Sequence, residues 1–236
     1  MPDLAARLKL VQARIAAACA AAGQPPGSAR LLAVSKTVAA DVLAAAQQLG
    51  VEAFGESYLQ EALPKIAALQ PRPAWHFIGP IQSNKTRDIA AHFDWVHGVD
   101  RLKIAQRLSD QRPAQLPPLS ICVQVNISSE ASKAGCEPSE TTALCLAIAA
   151  LPRLRLRGLM AIPAPLDDDA DAAAARAPYA ALRKLAQQVK SQLPPPAASD
   201  FDTISAGMSD DLEAAVAEGS SLVRVGSALF GERQYN

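Results

Sequence analysis

The stretch LLAVSKTVAADVLAAAQQLG, residues 31–50, carries an apolar strand-like run into Lys36 and then into what reads as a helix. A buried strand has little reason to finish on lysine, because removing an ammonium from water is expensive. The turn that follows, SKTVAAD, contains no GxGxxG, so the phosphate fingerprint of an open doubly wound sheet is missing. Whether Lys36 is a surface residue or an amine placed for chemistry depends on how this strand–helix unit repeats.

It repeats along almost the whole chain. Runs rich in β-branched or aromatic residues occur at 31–36, 51–56, 74–79, 95–100, 120–126, 154–162, 202–207 and 221–226. Helix-like segments lie between them at 39–49, 57–69, 83–91, 101–110, 138–150, 168–191 and 209–218. Asp100 and Ser209 read as N-caps, Gly50 and Gly219 as helix stops, and QLPPPAAS (192–199) as the end of the long sixth helix. Strict alternation implies parallel strands with helical crossovers. Eight units in 236 residues fit a closed (β/α)8 TIM barrel, a fold of about 250 residues. One α/β domain over 1–236 is expected. A leading helix over 1–24 is expected to bury Leu4, Leu8, Val11, Ile15 and Cys19, which recur at helical spacing.

Composition narrows the function classes. Half the residues are apolar, and 23 basic side chains balance 23 acidic ones, so no general attraction to nucleic acid or anionic membrane is expected. The stretch around IAAACAAAG is broken by Gln12 and Arg14, and no run approaches the ~18 apolar residues of a membrane span. Cys19, Cys122, Cys136 and Cys145 form no CxxC pair and are expected to be reduced thiols of a cytoplasmic protein. His76, His92 and His97 lack metal-ligand spacing; His76 is expected to make a hydrogen bond near the rim. Asp210, Asp211 and Glu213 suit a helix first turn, Asp167–Asp169 a solvated helix start, and Lys133 a surface loop able to steer an anion.

In a barrel, chemistry belongs at the carboxyl ends of the strands. Those ends are Lys36, Glu56, Gly79, Asp100, Asn126, the Met160 region, 205–208 and 224–227. SAGMS (205–209) and GSALFGE (226–232) follow strands seven and eight, where such barrels commonly bind phosphate. Gly207 and Gly226 permit close backbone approach, and the hydroxyls of Ser205 and Ser227 can donate. Lys36 ends strand one, which neighbours strand eight and Arg224 once the barrel closes. A free lysine has a pKa of about 10.4, so a nucleophilic one needs desolvation or a neighbouring cation. Lysine, arginine and phosphate cradle together suggest a phosphorylated carbonyl compound held as a Schiff base. Pyridoxal phosphate and a sugar-phosphate aldolase intermediate both satisfy that description.

AVSKT, FGESY, WHFIGPIQSNK, VQVNIS, LRGLMAI, ISAGMSDDLEAAV and VRVGSALFGER, in order from about residue 30 to the C-terminus, resemble the pyridoxal phosphate homeostasis proteins. The resemblance implies the barrel of the alanine racemase N-terminal domain, with pyridoxal 5'-phosphate (PLP) as a covalent imine on Lys36. It implies cofactor contacts from Ser205, Gly207, Met208, Arg224, Gly226 and Ser227, with Met160 near the ring. Ser57 stands where the family usually carries asparagine; its shorter hydroxyl would reach the cofactor through water. The implied function is intracellular vitamin B6 homeostasis by a monomer that holds PLP, passes it to PLP-dependent apoenzymes and has no turnover, catalytic residue or metal. The alternatives are a PLP-dependent amino-acid racemase of low activity and a Schiff-base aldolase. A racemase needs groups on both faces of the substrate α-carbon, one of them supplied by a further domain, and this chain ends at Asn236. An arginine facing the pyridine nitrogen would also weaken the ring as an electron sink, although true racemases share it.

Overall fold

The computed structural model describes residues 3–128, 134–164 and 171–231. Eight strands alternate with helices: β1 (Arg30–Val34), β2 (Ala53–Glu56), β3 (Ala74–Phe77), β4 (Trp95–Val99), β5 (Leu119–Gln124), β6 (Leu154–Met160), β7 (Thr203–Ser205) and β8 (Leu222–Val225). The helices are α1 (Leu4–Ala21), α2 (Ala40–Gln48), α3 (Leu59–Ala68), α4 (Thr86–His92), α5 (Leu102–Gln111), α6 (Pro138–Ala149), α7 (Ala172–Gln192), α8 (Pro195–Asp200), α9 (Leu212–Ala217) and α10 (Ser227–Phe230). All neighbouring strands are parallel, and β8 returns to β1 with Leu32 opposite Arg224, closing the barrel.

Alternation along each strand divides the buried residues into two groups. Ala33, Phe54, Trp75, Val96, Ile121 and Val223 face outward and join the helices in one continuous apolar annulus. Leu32, Cys122, Met160 and Leu222 are buried outside that annulus. His97 on β4 bonds Ser205 on β7, strands that are not neighbours, so this contact crosses the barrel interior. The interior is thus unusually polar for a fold whose barrel core is commonly branched and apolar.

The leading helix forms as expected. Asp3 caps it by accepting from the Ala6 amide at 2.8 Å, and Leu8, Val11, Ile15 and Cys19 are buried while Leu4 is half-buried. It packs on α9, α10 and β1. Gly50 and Gly219 take positive φ beyond helix ends, as helix stops should.

Other local expectations change. Asp100 is spent on Arg101 at 2.6 Å, and Ser209 reaches Ser227; neither caps a helix. The Pro-rich segment ends α7 but then forms α8, because proline is tolerated in a helix's first turn, where no intrahelical amide bond is needed. Asp167–Asp169 and Lys133 lie outside the described residues. Among the described residues all four cysteines are free and buried, no helix is long and apolar enough to cross a membrane, and no cluster could hold a metal.

Candidate functional site

Lys36 follows β1 by two residues, is half-buried, and shares the strand parity of Arg30, Leu32 and Val34, which places it at the barrel mouth. Its backbone is clamped on both sides. Before it, the Ser35 hydroxyl donates to Glu56 Oε1 at 2.6 Å, and Lys65 Nζ donates to the Ser35 carbonyl at 2.9 Å. Lys65 also pairs with Glu56 Oε1 at 2.8 Å, in a site where Glu56 is fully enclosed and its Oε2 is unbonded. Burial raises the Glu56 pKa against the opposing pull of Lys65 and Ser35. After it, Thr37 holds φ 66, a left-handed conformation that is costly for a β-branched residue. Glu61 Oε2 accepts from the Thr37 amide at 3.0 Å and secures that turn.

Arg224, 4 % exposed, points into the mouth from β8. It donates to the Ser205 carbonyl at 2.6 Å, the Ser205 hydroxyl at 2.9 Å and the Ala161 carbonyl at 3.0 Å. Burial lowers its pKa, with Asp211 pulling the other way. No carboxylate lies within ion-pair distance of it among the described residues; Asp211 instead accepts from the Tyr179 hydroxyl and the Met208 amide, each at 2.5 Å. A desolvated cation balanced mainly by carbonyl dipoles leaves the mouth suited to an anion.

The two terminal loops meet beside it. The Arg224 amide donates to the Gly207 carbonyl at 2.9 Å, and the hydroxyls of Ser209 and Ser227 lie 3.3 Å apart. Gly207 has φ 88, and a Cβ there would lie 2.6 Å from Ala215 Cβ. A Cβ on Gly226 would approach the Val34 carbonyl oxygen to 3.3 Å. The first amides of α10, at Ser227 and Ala228, have no intrahelical carbonyl to reach. Met208 is 40 % exposed and its amide is already given to Asp211, so neither its side chain nor its N–H is enclosed in the mouth. Met160, buried, pairs in register with Ser205, and Ser57 is half-buried directly after β2.

His76 corrects the expectation of a rim histidine. It lies on β3 inside the barrel and toward its amino end, stacked on Trp95 and bonded through Nδ1 to His97 Nε2 at 2.9 Å. His97 Nδ1 then meets the Ser205 hydroxyl at 2.9 Å. Burial holds His76 down at about 3 and His97 well below the usual imidazole value, so both are neutral at physiological pH. Glu213 lies in the first turn of α9 as expected and also pairs with Arg14 of α1, while Asp211 sits at the N-cap position of α9 and accepts from the Tyr179 hydroxyl and the Met208 amide. Glu61, Lys65, His97, Tyr179 and the partners of Glu56 were not singled out by sequence. The available signal was a polar residue on an otherwise buried face, such as Lys65 among Leu59, Ala62 and Ile66.

The alanine racemase N-terminal domain family model matches residues 7–234. A pyridoxal phosphate homeostasis protein of Pseudomonas aeruginosa is 56 % identical over 236 residues, covering 100 % of this chain and 98 % of the relative. The protein of that name in Escherichia coli is 49 % identical over 247 aligned residues, covering 100 % and 99 %. The structure of PipY of Synechococcus elongatus with PLP bound has a TM-score of 0.77 and 37 % identity, covering 92 % of this chain and 100 % of that one.

Proposed function

Because the chain belongs to the family of pyridoxal phosphate homeostasis proteins, built on the alanine racemase N-terminal domain, we propose that it holds PLP as a Schiff base on Lys36 and buffers its supply. The observation that carries this reading is the pairing at one mouth of a doubly clamped lysine with a buried arginine that has no carboxylate partner among the described residues. Condensation of the Lys36 amine with the aldehyde releases one water and masks a reactive carbonyl. The hydroxyls of Ser209 and Ser227, with the Gly226–Ala228 backbone, fit the phosphate. Ser205 and Arg224 would address the ring, with Met160 packed near it. Ser57 would act through water, and Gly207 would shape the loop that carries Met208.

When bound, PLP supplies an electrophilic aldehyde that can be stored or surrendered. The protein's part is to bind it, orient it and limit water access. Storage without turnover, in the cytoplasm, by a monomer that passes PLP to apoenzymes, completes the proposal; the relatives are named as homeostasis proteins. Visible imine absorbance of the purified protein, and phosphopyridoxyl on Lys36 after borohydride reduction and peptide mapping, are the expected results. Label on another lysine would overturn the assignment. Rapid exchange of amino-acid α-protons in heavy water would overturn the absence of turnover.

A further inference from the structure

At the amino end of the barrel, opposite Lys36, a cavity of about 440 Å³ opens between α1 and the first residues of β1, β2, β3, β4 and β8. Its walls are largely apolar, with Ile15 and Cys19 of α1 facing Val51 and Leu222. Four polar side chains, Gln12, Arg30, Glu52 and His76, break that surface. Arg30 enters from the first position of β1, on the interior parity of its strand. His76, 5 % exposed, lines the cavity and offers an Nε2 that bonds nothing among the described residues. Trp95 has His76 stacked at 5.2 Å and Arg157 4.7 Å from its centroid, so its ring offers little stacking surface to an aromatic ligand. Glu52 at the rim disfavours a second negative charge on anything that enters.

We propose that this cavity binds a small monocarboxylate with an aliphatic body, its carboxylate held by Arg30 and His76 Nε2, and that its occupancy loosens the cofactor at the opposite mouth. The coupling part rests on the PLP reading above; the binding part does not. The route is the hydrogen-bonded chain His76–His97–Ser205–Arg224. Each imidazole, being neutral, carries one N–H. A carboxylate accepting from His76 Nε2–H fixes His76 Nδ1 as an acceptor, so His97 Nε2 must donate to it. His97 Nδ1 is then an acceptor, and the Ser205 O–H turns toward it. Arg224 already donates to the same oxygen, so Ser205 no longer has a proton to offer the mouth. No net proton transfer is required; each ring exchanges one tautomer for the other.

Sodium 4-methylpentanoate is the probe, and 4-methylpentan-1-ol its uncharged counterpart, titrated calorimetrically into the apoprotein. Saturable binding with a Kd of about 1 mM or tighter is expected, about tenfold weaker for the alcohol and for the Arg30→Gln protein. In the PLP-loaded protein the carboxylate should speed loss of imine absorbance after dilution by about three- to tenfold, and His97→Asn should abolish that acceleration while still binding the carboxylate. Absence of saturable binding to apoprotein, or equal binding by Arg30→Gln, overturns the site. Binding with an unchanged release rate in the unsubstituted protein overturns the coupling alone. Failure of imine formation on Lys36 would be a failure of the PLP reading, visible before any carboxylate is added.

Discussion

At the scale of single residues, the mouth works by restraint on either side of Lys36. Glu61→Ala frees the Thr37 amide and removes the group that secures a left-handed β-branched residue. PLP retention, measured by dilution, should fall about three- to tenfold, the value of one ordinary hydrogen bond at a solvent-exposed position. Arg224→Ala and Ser205→Ala should each weaken retention by tenfold or more; unchanged affinity in both would remove the proposed contacts. Gly207→Ala adds a Cβ 2.6 Å from Ala215 at a φ of 88, and should lower thermal stability by about 1–3 kcal/mol. Met208, exposed and with its amide spent on Asp211, should tolerate Met208→Ala with little change in retention.

At the scale of elements, α1 is attached by its apolar face rather than its charges. Ile15→Ala should cost about 2–4 kcal/mol in denaturant unfolding, whereas Arg14→Ala, which breaks a partly exposed pair with Glu213, should cost under about 1 kcal/mol. The strands, the leading helix and the lysine at the first strand end were legible in sequence, because period-2 and period-3.6 patterns are local. The Glu56–Lys65 pair was not: Lys65 on a buried helix face announces a partner, but only the placement of α3 against β2 identifies it. His76 was misplaced for a related reason. A strand of four residues gives its face, while its height along the barrel axis depends on register with β2 and β4. Likewise Asp211 belongs to a tertiary contact with Tyr179, 32 residues away, which no first-turn rule contains.

At the scale of the molecule, a barrel filled with neutral imidazoles ties folding to acidity. His76 and His97 resist protonation in the fold, His76 down to about 3, while unfolded histidines accept a proton near 6.5. The folded values are the depressed ones, so the unfolded chain binds more protons as pH falls below 6.5. The stability is fully present above that value and is lost downward toward 3. Two such groups give a slope approaching about 2.7 kcal/mol per pH unit once both titrate in the unfolded chain. Urea unfolding between pH 7 and 5 should show that loss before most carboxylates titrate, and His76→Asn should roughly halve the slope.

The four enclosed thiols have a use of their own. Cys19 lies on the buried face of α1, Cys145 on α6, Cys136 beside the β5 exit and Cys122 within the barrel, its pKa pushed up to about 12 by burial. A thiol-reactive dye should therefore reach Cys122, Cys136 and Cys145 only on unfolding, with Cys19, which lines the amino-end cavity, labelled first, and count four sites in denaturant. The order in which they label at intermediate times would chart which layer of the molecule breathes first, with no substitution introduced.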